Sequence, residues 1–116
     1  MIEPDVGARL PLKGRVFAIL LLLAEAPRHG YAIMRELQAS GAEPLPPGPA
    51  TLYRTLRDMQ EDGLITSRQG ALEDSGGPPR RYYALSGFGR RVAAAEAARL
   101  RGLVRRAGAL LLEPGE

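Results

Sequence analysis

Pro49-Ala50-Thr51-Leu52-Tyr53-Arg54-Thr55-Leu56-Arg57-Asp58-Met59-Gln60-Glu61-Asp62-Gly63-Leu64-Ile65 is the stretch on which the fold turns. Leu52, Leu56 and Met59 recur at spacings of four and three, which is one face of a helix. Pro49 suits the first helical position and Gly63 closes the element. The opposite face carries Thr51, Arg54, Thr55, Arg57, Asp58 and Glu61, with Tyr53 at the edge of the apolar stripe. Leu64 to Arg68 then reads as a strand. Arg80-Arg81-Tyr82-Tyr83-Ala84-Leu85 reads as its returning partner, with a Gly/Pro/Asp-rich turn over Ala71 to Pro79.

Upstream, Leu12 to about Ala26 forms a first helix that Pro27 stops. Leu12, Val16, Ile19, Leu20 and Leu23 follow helical spacing, while Phe17, Leu21 and Leu22 make it apolar on most sides. Burial from more than one direction is expected for such a helix, and a second subunit would provide it. Gly30 to Ala39 forms a second helix closed by Gly41 in a left-handed cap, with a backbone requirement at Gly30. Glu43-Pro44-Leu45-Pro46-Pro47-Gly48-Pro49 is a stiff connection. Residues 1–11, with Pro4, Gly7 and Pro11, read as a flexible arm.

Downstream, Ser86 suits an N-cap for a last helix reaching Leu112. Phe88, Val92, Ala95, Leu100, Leu103, Val104, Ala107, Leu110 and Leu111 form a long stripe that no later element covers. A terminal helix of that kind usually pairs with a second copy. Phe17, Leu21, Phe88, Val92, Leu100, Leu103, Val104 and Leu110 are the expected dimerisation residues. Residues 113–116 form a tail. The fold class is mainly α with a small β-hairpin: a winged helix-turn-helix over 12–85 and a C-terminal dimerisation helix over 86–112.

Composition narrows the chemistry. At 116 residues, 45% hydrophobic, the chain is one domain, or one small domain plus an extension that packs elsewhere. Lys13 is the one lysine among sixteen basic residues, so the others are arginines, whose planar fork suits phosphate and guanine. A high-GC coding bias explains the same excess. No cysteine is present, which excludes disulfides and thiolate metal sites, and His29 alone builds no typical histidine metal site. No metal or cofactor is expected. No nucleophile, base and orienting group can be assembled, and no glycine segment matches a phosphate loop, so no catalytic residue is expected. His29 reads as structural or as a cap. The longest apolar run, Val16 through Ala24, falls short of the roughly 18 residues that cross a bilayer. The chain reads as cytoplasmic and nucleoid-associated.

In a helix-turn-helix the second helix of the pair enters the major groove with its N-terminal residues at base edges. Here those are Thr51, Tyr53 and Arg54, with Arg57 behind them and Ala50 able to touch a thymine methyl. Arg80 and Arg81 suit phosphate or minor-groove contact from the wing strand, the phosphate being favoured; cross-strand pairing with Glu73 or Asp74 is the structural alternative. Lys13 and Arg15 either clamp the backbone or are solvated. Arg90, Arg91, Arg99, Arg101, Arg105 and Arg106 read as the solvated face of the last helix, with a local acceptor expected for the first two.

These residues resemble the PadR family of bacterial transcriptional regulators. The resemblance lies in His29-Gly30-Tyr31-Ala32-Ile33, in Thr51-Leu52-Tyr53-Arg54-Thr55-Leu56 with Glu61-Asp62-Gly63-Leu64-Ile65, and in Arg80-Arg81-Tyr82-Tyr83-Ala84-Leu85-Ser86 with Gly89-Arg90. It spans Leu12 to Leu112. It implies a homodimeric winged-helix repressor that binds double-stranded DNA at an inverted-repeat operator and releases it on a signal, such as a small-molecule effector. The single C-terminal helix resembles the smaller subfamily. Members that hold flat aromatic drugs between subunits often use a Trp on that helix, and this chain has none. The alternative reading is a winged-helix protein-interaction adaptor without DNA binding, which Asp58, Glu61 and Asp62 keep open.

Overall fold

Capping chemistry sets the element boundaries. A computed structural model of the chain describes residues 4–70 and 80–112. In order they form α1 (Pro4–Gly7), α2 (Gly14–Glu25), β1 (Arg28–His29), α3 (Gly30–Ser40), α4 (Pro49–Glu61), β2 (Ile65–Gln69), β3 (Arg81–Leu85) and α5 (Gly87–Leu111). The His29 side chain accepts the Ala32 N–H and starts α3; Gly41, at φ 69°, ends it. Pro49 opens α4, where a missing N–H costs nothing, and Gly63 at φ 78° turns the chain into β2. Ser86 caps α5 by accepting the Gly89 N–H.

The sheet is antiparallel with strand order β1-β3-β2. Ile65 stands opposite Leu85 and Gln69 opposite Arg81, so β2 and β3 form the expected hairpin. The third strand, β1, pairs Arg28 with Tyr83 and His29 with Tyr82. It is absent from the sequence reading because two residues are too short for any alternation to register.

Ile19, Leu20, Ile33, Leu37, Leu52, Leu56, Met59 and Val92 are completely buried and join α2, α3, α4 and α5 in one core. Each aliphatic side chain of this size contributes about 1.5–3 kcal/mol when buried. The core fixes the inward side of α4 and therefore which of its side chains face out.

The segment expected as a loose arm is structured where it is described. Pro4–Gly7 makes a helical turn, Val6 is buried, and α1 packs on α5. Proline and glycine suggested a loop, but one apolar side chain with a groove to fill orders the turn. The turn over Ala71 to Pro79, with Glu73 and Asp74, lies outside the described residues, as does the tail over 113–116.

On α5 the positions Gly89, Ala93, Glu96, Leu100, Leu103, Ala107 and Leu110 alternate in steps of four and three. The first three are buried in the protomer, Leu100 is half-buried, and the rest are exposed. One face of a single helix is thus covered at its start and bare at its end.

Candidate nucleic-acid interface

The outward side of α4 is built by its inward side. With Leu52, Leu56 and Met59 locked in the core, Thr51, Tyr53, Arg54 and Arg57 are all exposed. Among the described residues, Arg54 and Arg57 make no hydrogen bond or ion pair, so both guanidinium groups remain available to an anion. Thr55 is instead turned onto its own helix, its hydroxyl donating to the Thr51 carbonyl at 3.0 Å. Asp58 and Glu61 on α4, with Asp62 at its C-cap, place negative charge toward the end of the helix, beyond Arg54 and Arg57.

Tyr53 is 45% exposed, yet one part of it is fixed. A β-carbon on Gly30 would lie 2.6 Å from Tyr53 Cε1 and from its hydroxyl oxygen. The requirement at Gly30 is therefore close approach by a neighbouring ring, since its backbone has no positive φ. Leaning on α3 leaves the Tyr53 ring with an ordered edge toward solvent. The Tyr83 phenol beneath is pushed up from its ordinary pKa, chiefly by burial and also by Tyr53.

The wing base is a cationic and aromatic cluster. Arg81 Nη1 donates to Ser67 Oγ at 3.1 Å, and Gln60 on α4 donates to the same hydroxyl at 2.8 Å. Arg80 Nη1 lies 2.8 Å from His29 Nε2, and the His29 ring meets Tyr82 edge-on at 5.6 Å. Arg68 on β2 stacks over the Tyr82 ring at 5.8 Å and joins Arg80 and Arg81 as a third cation. The sequence reading passed over Arg68. Its position one strand across from two tyrosines was the available signal.

Arg15 does not face outward as an idle clamp. Its guanidinium makes a two-pronged pair with Glu43, at 2.8 and 2.7 Å. That contact holds the Glu43 carboxyl below the ordinary carboxylate value, the hydrogen bond from Arg15 outweighing burial. Arg15 thus ties α2 to the connection leading into α4. Lys13 is exposed at the N-cap of α2. Both residues line an open cleft of about 600 Å³ between the α2 start, the segment before it and α4. On its far side Arg9 pairs with Asp62 at 3.2 Å.

Four residues expected at the dimer interface or on the solvated face depart from expectation. Val92 is completely buried in the protomer's own core and has no surface for a partner. Phe17 and Phe88 are partly buried against the same core, and Arg91 stacks over Phe88 at 5.8 Å. Arg99 is drawn out of the solvated face by Glu96, whose Oε1 lies 2.5 Å from its Nε. Bare surface remains at Leu21, 50% exposed, and at Leu103, Val104 and Leu110, at 50%, 70% and 73%.

Among the described residues no group of three His, Asp or Glu could hold a metal ion, and no helix is long and apolar enough to cross a membrane.

Three helices, a three-stranded sheet with a wing and an outward-facing second helix define a winged helix-turn-helix protein. The transcriptional regulator PadR-like family matches residues 19–95, and the chain belongs to that family. It is a family of transcriptional regulators, not of enzymes. No curated protein matches the chain. Among solved structures, a PadR family transcription regulator from Clostridium difficile is 23% identical, with a TM-score of 0.73 over 85% of this chain and 99% of that one. A PadR-like transcriptional regulator from Bacillus cereus is 20% identical, with a TM-score of 0.72 over 96% of this chain and 99% of that one. Bacillus subtilis PadR, solved in complex with operator DNA, is 17% identical, with a TM-score of 0.64 over 88% of this chain and 61% of that one. At these identities the likeness is one of fold.

Proposed function

We propose that this protein is a sequence-specific DNA-binding repressor of the smaller PadR type, acting as a homodimer on an inverted-repeat operator at the nucleoid. One observation carries the reading. The outward side of α4 exposes Thr51, Tyr53, Arg54 and Arg57 over a buried Leu52-Leu56-Met59 stripe, with the cations of the wing base beside it. Thr51, Tyr53 and Arg54 meet base edges or adjacent phosphates; Arg57, Arg80 and Arg81 meet phosphates. Lys13 joins them from the α2 start. Arg15 supports the interface through Glu43 and does not touch DNA.

The bare stripe of Leu100, Leu103, Val104 and Leu110 pairs with its copy, and Leu21 lies at the margin. In its favour is the unbroken step of four and three along α5, the repeat that lets two helices interlock. A small-molecule effector has a candidate seat in the cleft beside α4, where a ligand would press on the DNA-reading helix.

Selection of bound duplexes from random or genomic DNA tests the reading. A palindrome should emerge. Tyr53→Ala and Arg54→Ala should weaken binding while dimerisation persists, and affinity should fall steeply with salt as counterions are released. Binding to no duplex, or binding indifferent to salt, overturns it.

A further inference from the structure

Glu96 is the one buried charged side chain among the described residues, at 1% exposure. It accepts the Leu12 N–H at 2.8 Å through Oε2, across 84 positions of sequence. The same carboxylate receives Arg99 one turn later, at 2.5 Å to Oε1 and 3.1 Å to Oε2. Its place on α5 is telling. In the step of four and three it stands between Ala93, covered by the protomer, and Leu100, where cover begins to fail. It is the only charged residue in that register.

We propose that Glu96 is a positioning residue that sets the angle between the DNA-reading unit and the dimerisation helix, and through it the half-site spacing the dimer accepts. The inference rests on the dimeric, DNA-binding reading above.

The alternatives to such a device are non-directional. Val92, Ala93 and the apolar side chains of α1 and α2 hold α5 by burial, which tolerates sliding and tilting, and helix crossing angles scatter by about 15–20° for similar interfaces. A hydrogen bond to a backbone N–H has a direction and a fixed length. The bond falls just ahead of α2, the first helix of the DNA-reading unit, and the unit follows the orientation of that helix. An apolar side chain of similar volume at position 96 would fill the same space but leave the Leu12 N–H without its acceptor and Arg99 without its partner, so what the carboxylate adds to apolar packing is a directed bond. Arg99 neutralises the charge and braces the carboxylate from α5 itself. The consequence for DNA is specific. One base pair of spacing is about 3.4 Å and about 34° of rotation, so a loosened angle blurs the preferred spacing before it abolishes binding.

The test uses the full chain and two readouts. Because the protein has no cysteine, Glu61→Cys and Arg105→Cys place two spin labels uniquely, one on α4 and one on α5. Diluted into excess unlabelled protein, they report the distance within one protomer by pulsed electron spin resonance. The natural residue at 96 should give one narrow distribution, and Glu96→Leu should broaden it. In the second readout, operators whose half-sites are moved by one or two base pairs should lose roughly tenfold in affinity with the natural protein. With Glu96→Leu they should lose less than about threefold, while binding to an isolated half-site is unchanged. A distribution as narrow in Glu96→Leu as in the natural protein overturns the proposal, and so does an unchanged spacing profile. If Glu96→Leu does not fold, Glu96→Met, which also removes the acceptor for the Leu12 N–H, decides by the same two criteria. If no duplex binds at any spacing, the DNA-binding reading fails, and the distance within the protomer alone decides the role of Glu96.

Discussion

The Tyr53 ring of α4 rests on the α-carbon of Gly30 at the head of α3, so closely that no β-carbon fits between them. The side chain expected to meet DNA is thus oriented by the preceding helix. Gly30→Ala should leave α3 intact, since alanine favours helix and the backbone there is not strained. It should push the Tyr53 ring aside and weaken operator binding by roughly tenfold, about as much as Tyr53→Ala. In the double variant the two losses should not add. Fluorescence anisotropy on a labelled operator measures all three; additive losses would show that the glycine serves something else.

Arg54 and Arg15 should separate cleanly. Loss of the unpaired Arg54 should lower the slope of log affinity against log salt by about one for each phosphate contact removed. Arg15→Ala should leave that slope unchanged and lower the melting temperature, because its guanidinium is committed to Glu43. Salt titrations and thermal unfolding of the two variants check this.

The junction between hairpin and last helix should be the most sensitive point in the fold. A β-carbon on Gly89 would stand 2.0 Å from the Leu64 carbonyl oxygen, a backbone atom that no rotamer can move. Gly89→Ala should cost more than about 3 kcal/mol, by urea unfolding. Ser86→Ala removes an N-cap and the hydroxyl that donates to the Gly63 and Leu64 carbonyls, and should cost about 1–2 kcal/mol.

Acid should unfold the protein partly through two carboxyls. Arg99 holds Glu96, and Arg15 holds Glu43, below the ordinary carboxylate value, mainly by hydrogen bonding. Both ionised forms are therefore favoured by folding. Their stabilisation is fully present above about pH 4.3, the usual value for an unfolded glutamate, and is lost as pH falls through the lower folded values. Melting temperature should stay level from neutrality down to about pH 5 and then drop. Glu43→Gln with Glu96→Gln should lower the plateau and flatten the acid limb. Calorimetry across pH measures both, and solvent around the arginines keeps the effect modest.

Leu103→Asp places a charge in the bare part of the α5 stripe and should give a monomer by sedimentation. The helical content should persist, since nothing in the protomer's core depends on that side chain. A dimer unaffected by the change would place the subunit contact elsewhere.

The helices were legible because Leu52-Leu56-Met59 and Ile33-Leu37 declare their period, and the caps at Ser86, Gly41 and Gly63 stand where the periodic runs end. The outward residues of α4 followed directly from its inward ones. What escaped was tertiary in origin. Val6 is a single apolar residue among loop formers, and β1 is a strand only because β3 lies beside it. Glu96 reads as a polar interruption until the Leu12 N–H meets it. Val92 and Leu103 share a stripe, and only the packing of α1 and α2 divides them between core and surface.

The position of β3 between β1 and β2 bears on how such a protein lets go. β1 interrupts the passage from α2 to α3 and pairs with β3, and β2 follows α4, so the two strands of the hairpin are each tied to the helices. On the proposed reading Arg81 and Arg54 travel as one casting, and a grip on phosphate is not traded separately from a grip on bases. Each half of the operator should be held or released whole, as a key leaves a lock.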